Sequence, residues 1–75
     1  MKRYKIAQKV GRRIKIIRKR NKWTQEKLAE KLRIHISTLG RIERGESNPP
    51  LQTINRISQA LRVKPRELLS QICNF

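Results

Sequence analysis

Seventy-five residues leave room for one domain at most, and twenty Lys and Arg against five Asp and Glu give it a formal net charge of +15. Such an imbalance works against a compact state by self-repulsion, so it calls for a polyanionic partner, with nucleic acid ahead of a membrane surface. One cysteine, Cys73, excludes an internal disulfide, and no stretch has the apolar length of a signal peptide or a membrane span, so the cytoplasm, close to the nucleoid, is the expected setting.

The charge is uneven. Residues 1–22 carry eleven basic side chains and no acid, which makes the N-terminal third the electrostatic hot end. Within it Ile6, Val10, Ile14 and Ile17 recur at spacings of four, four and three, one face of a helix with Lys and Arg on every other side. The pattern predicts a first helix starting between about residues 5 and 9 and broken at Asn21-Lys22. Residues 1–8 then form a basic arm or a helix extension, ahead of a domain over 9–72.

Thr24 has the residue type of an N-cap, its hydroxyl placed to accept from the amides of the next turn. Trp23 before it and Leu28 at the fourth helical position suit a hydrophobic staple, while Lys27 stands where a capping box would want Glu or Gln. Leu28, Ala29 and Leu32 give this short second helix its buried stripe. Arg33-Ile34-His35 is a three-residue break. The next run has Leu39 and Ile42 as its apolar pair, with Ile34 packing from the turn, and stops at Gly45. Glu46 to Pro50 reads as a loop. Ile54, Ile57 and Leu61 mark a fourth helix, with Leu51 expected to pack at its start. Pro65 opens a fifth, which carries Leu68, Leu69 and Ile72 and runs out by Asn74, with a tail at 73–75. No β-type alternation, repeat or low-complexity segment appears. The fold class is all-α, a compact bundle of five short helices.

Two short helices joined by a three-residue turn suit a particular task. The second lies in a major groove while the first crosses the backbone and braces it. Ala29 fits such a crossing, since a small side chain lets two helices approach closely. On Gly11-Arg12-Arg13-Ile14, Arg18, Thr24-Gln25-Glu26, Leu28-Ala29, Ile42-Glu43-Arg44-Gly45, Asn48-Pro49, and Ala60-Leu61 to Leu68-Leu69, the chain resembles the phage repressor and Cro type of helix-turn-helix family. The resemblance covers about residues 11–69. It implies a lambda-repressor-like DNA-binding fold with its helix-turn-helix at 25–43 and a recognition helix at 36–43, His35 standing at the cap.

The resemblance also implies roles. Ile36, Ser37, Gly40 and Arg41 match groove-facing positions, since Leu39 and Ile42 turn to the core. Arg41 is the best base reader, because a guanidinium binds O6 and N7 of guanine bidentately, a contact worth about 1–3 kcal/mol of discrimination. Ser37 has the chemistry to bond a base or a phosphate, and Ile36 to touch a thymine methyl. Gln25 matches a position that meets phosphate and buttresses the recognition helix, where free amides add partial positive charge. Arg44 and Asn48 match the segment that follows the DNA backbone, and Lys22, Thr24, His35 and Thr38 complete the backbone set. Each exposed cation has a bland alternative as a solvated surface charge. His35 is the only histidine and the one cysteine is far away in sequence, so neither a metal nor a cofactor is expected.

Glu43 near a helix C-terminus opposes the dipole and needs local compensation. The resemblance supplies Arg18 as its partner in a largely enclosed salt bridge, which makes both structural rather than DNA-reading. The sequence also departs from the family. Arg33 and Arg62 stand where glycine usually ends a helix, at a cost of about 1 kcal/mol each for a left-handed residue with a side chain. Gly40 inside the recognition helix adds a helix penalty of about 1 kcal/mol. Ser58 replaces a usual Ala, and Pro50 stands where an N-cap Ser is common.

The implied function is regulation of transcription, as a repressor, by a homodimer on a pseudo-palindromic operator in double-stranded DNA. Helix five with Ile72, Cys73 and Phe75 offers a dimer surface, or folds back onto the core. Competing readings are an antitoxin or restriction-modification controller acting partly through protein contacts, for instance with a toxin, and sequence-blind packaging driven by the first 22 residues. Paired carboxylates, a nucleophile beside a histidine and a phosphate-cradling glycine loop are all missing from the sequence, so nothing in it points to an enzyme.

Overall fold

The computed structural model describes residues 5–69 and folds them into five helices: α1 (Lys5–Arg20), α2 (Gln25–Leu32), α3 (Ile36–Arg44), α4 (Leu51–Leu61) and α5 (Pro65–Leu68). The all-α expectation holds, and no strand occurs among the described residues. Residues 5–8 belong to α1. The rest of the expected arm, the tail at 73–75 and the dimer candidates Ile72, Cys73 and Phe75 lie outside the described residues.

The buried face of α1 is Ala7, Val10, Gly11, Ile14, Ile17 and Arg18. Ile6, expected on this stripe, is instead 60% exposed. The reason is helical phase. Seven residues fall only about 20° short of two full turns, so Ala7 lines up with Ile14, while Ile6 stands a further residue, about 100°, away.

α1 packs most extensively on α3, and α2 on α3 and α4. Val10, Ile14 and Ile17 of α1 join Leu28, Ala29, Leu32, Leu39, Ile42, Ile54, Ile57, Leu61 and Leu68 in one core. Leu51 does not join it and is 79% exposed. It is the first residue of α4, two turns ahead of buried Ser58 on the same face, where no partner helix covers it. Ser58 carries a hydroxyl into the core without leaving it unsatisfied, since its Oγ donates to the Asn55 carbonyl at 2.7 Å.

Four helices end in the same way. Lys22, Arg33 and Arg62 take φ of 62, 58 and 60°, and Gly45 takes 75°. Each left-handed residue lets the next amide turn back to the last turn of its helix: Trp23 to Arg18, Ile34 to Ala29, Glu46 to Arg41 and Val63 to Ser58, at 2.9 to 3.1 Å. After the three non-glycine stops the following residue is apolar, and Trp23, Ile34 and Val63 all pack against the core. Burying those side chains offsets the left-handed strain, and a cation at the stop complements the helix dipole. Two further cations serve the same end groups: Arg56 donates to the Leu32 carbonyl, and Arg13 Nε to the Glu67 carbonyl at 3.2 Å. Arg13 and Arg56 are therefore structural.

Candidate nucleic-acid interface

α3 owes its two faces to its own sequence. Leu39, Ile42 and Glu43 are buried, and Ile36, Ser37, Thr38, Arg41 and Arg44 are exposed on the outer side. Ile36, 45% exposed, is an apolar side chain left at the open start of the helix. This ridge carries three of the four residues expected to face a groove. Gly40 is the correction: it is buried, and the Arg44 guanidinium lies over it, 3.1 Å from where a Cβ would stand. A glycine one turn before a long cation at (i, i+4) leaves a furrow that the cation fills, so Arg44 presents that surface in its place.

The ridge is held by a buried polar network. Arg18 Nε donates to Glu43 Oε2 at 2.7 Å and Nη2 to Oε1 at 3.1 Å, a bidentate pair whose side chains are 7% and 2% exposed. Arg18 Nη1 also donates to the Trp23 carbonyl at 2.7 Å, which ties the turn before α2 to the same guanidinium. Gln25 Nε2 donates to Glu43 Oε1 at 2.9 Å. Three helices thus meet at one carboxylate, and Glu43 is compensated despite its place near the α3 C-terminus. Of the two roles expected of Gln25, this bond supplies the buttress to α3, made from a half-buried position at the start of α2.

The remaining expected backbone contacts lie around this frame. Thr24 Oγ1 accepts from the Lys27 amide at 3.0 Å, which caps α2, and its side chain remains exposed. His35 precedes α3 as an exposed N-cap with no side-chain cap bond. Lys22 is exposed at its left-handed stop. Arg44 pairs with Glu46 at 3.1 Å on the surface, and Asn48 is exposed in the loop beyond. Among the described residues no cluster of His, Cys, Asp and Glu has the makings of a metal site, and no helix is long and apolar enough to cross a membrane.

Two features escaped sequence reasoning. Gly11 lies where α1 crosses α3 backbone to backbone, and an added Cβ would collide with the carbonyls of Ile42 and Glu43. A glycine inside a helix costs about 1 kcal/mol, and that unexplained cost was the available signal. The second is that Arg12 and Lys15 of α1 line a cleft with Arg44, a neighbourhood no local pattern announces.

A helix-turn-helix family model matches residues 14–68. The chain is 42% identical over 62 residues to the immunity repressor protein of Bacillus phage phi105, which covers 83% of this chain but only 43% of that relative. It therefore spans less than half of that protein's length. The restriction-modification controller protein C.AhdI from Aeromonas hydrophila superposes with a TM-score of 0.82 at 35% identity, over 87% of this chain and 98% of the controller. The master regulator for biofilm formation SinR, solved in complex with DNA, superposes with a TM-score of 0.75 at 38% identity, over 80% of this chain and 97% of that one.

Proposed function

The chain belongs to the helix-turn-helix family, and from that premise we propose that it is a sequence-specific double-stranded DNA-binding regulator of transcription, acting as a repressor. The observation that carries the reading is the outer ridge of α3, where Ile36, Ser37 and Arg41 stand exposed above a fully buried inner face. A rigid helix with such a ridge enters the major groove, where each base pair displays a distinct pattern of donors and acceptors. Arg41 reads guanine, Ser37 a base or phosphate, and Ile36 a thymine methyl. Lys22, Thr24, His35, Thr38, Arg44 and Asn48 position the strands, and Gln25 does so from the start of α2 while bracing Glu43. The protein works as a homodimer on a pseudo-palindromic operator, because one module reads only a few base pairs. It is a binding protein of the cytoplasm rather than an enzyme.

The likeness to C.AhdI favours a second reading, control of a restriction-modification system, on the same DNA-binding chemistry. Selection of bound sites from random duplexes, followed by titration at two salt concentrations, tests both. A symmetric site bound at least about a thousandfold more tightly than random DNA is the expected result. Uniform affinity for all sequences rejects the regulator in favour of packaging.

A further inference from the structure

We propose that the cleft between α1 and the C-terminal end of α3 is a phosphodiester-binding site, through which Arg12 and Lys15 extend the DNA footprint beyond the recognition helix. The inference rests on α3 entering DNA as proposed above. Gln8, Arg12 and Lys15 line one wall of this cleft and Arg44 and Glu46 the other, with Glu43 between them.

Three observations point the same way. Glu43 is already engaged by Arg18 and Gln25, so it does not neutralise the cleft's cations. α1 itself contains no acid, so its exposed Lys5, Lys9, Arg12, Lys15, Lys19 and Arg20 have no carboxylate partner one turn away in their own helix. Surface helices usually mix charges, and a helix of one sign is destabilised by self-repulsion until an anion approaches. Finally, Arg44 spans both places: it lies across Gly40 beside the exposed ridge and also lines the cleft. A strand bordering a groove occupied by α3 therefore passes the cleft mouth.

The ligand class follows from the donors. A guanidinium fork and an ammonium from α1 face a second guanidinium, with the Gln8 amide alongside, a set matched to the oxygens of a phosphodiester. Glu46 marks where an anion sits, since its carboxylate accepts from Arg44 Nε and Nη2 at 3.1 and 3.3 Å. That pair is exposed, and so is weak enough for a phosphate to displace.

The test is a fluorescence-anisotropy titration of the full chain against its selected duplex and a random one, over a salt series. Arg12→Ala with Lys15→Ala should weaken both duplexes by a similar factor, roughly tenfold, and make the salt slope shallower by about one to two. Lys9→Ala with Arg20→Ala removes the same charge from positions outside the cleft and should lose clearly less. Glu46→Gln should tighten both duplexes. All of these side chains are exposed, and alanine is a strong helix former, so thermal melts should stay close to the parent. Unchanged affinity and slope in the Arg12/Lys15 variant overturns the site, as do equal losses from the two double variants or no tightening by Glu46→Gln. Because random DNA is measured too, these results stand apart from the recognition-helix reading, which turns on Arg41.

Discussion

Arg18 and Glu43 stand 25 positions apart in the chain, yet meet in two hydrogen bonds inside the core, and through them the first helix sets the position of the third. The pair also explains why Trp23 and Gln25 sit where they do, since both hydrogen-bond to it. The exposed ridge of α3 is only as well placed as this joint.

Cutting the joint on one side should be worse than removing it. Arg18→Met or Glu43→Leu alone should destabilise by about 3–5 kcal/mol, because an enclosed charge is left without its partner. The double replacement should recover much of that loss. Urea denaturation of the three variants measures it, and a double variant weaker than both singles would show that the pair contributes beyond mutual compensation.

Arg41→Ala should weaken binding to the selected site by about 1–3 kcal/mol and relax preference at one base pair. Competition titration with single-base variants of the site checks this. Equal weakening on selected and random DNA would mean that Arg41 grips the backbone instead of a base.

Gly11→Ala should destabilise the fold by about 2–3 kcal/mol, although alanine is the better helix former, because the new methyl meets the rigid α3 carbonyls of Ile42 and Glu43. Thermal melts decide it. A gain in melting temperature would show that α1 and α3 separate at little cost.

Arg33→Gly and Arg62→Gly should each be neutral or stabilising by up to about 1 kcal/mol, since glycine takes the left-handed stop without strain but raises the entropy of the unfolded chain. A loss of more than about 1 kcal/mol in urea would place an unrecognised contact on the arginine side chain.

Much of this was legible in the sequence. Apolar spacing, Thr24 as a cap, Gly45 as a stop and Pro65 as a start each act within a turn or two of chain, and the helices appear where those signals put them, except that Leu69, expected inside α5, stands just past its end at Leu68. Besides Gly40, which Arg44 covers, two apolar residues stand elsewhere than their spacing suggests. Ile6 was misplaced by helical phase, which three or four apolar residues fix only to within about one position. Leu51 was misjudged because nothing local says where the core ends.

What the sequence determined by itself is the set of helices, the sign of the surface and, through the order of its motifs, the family. What the tertiary structure decided is which groups share a space: Gly11 against the carbonyls of Ile42 and Glu43, and Arg12 and Lys15 across from Arg44. The division is physical. Helix signals act through neighbouring backbone groups, whereas these meetings join residues that only the crossing of α1 over α3, at the contact Gly11 permits, brings together.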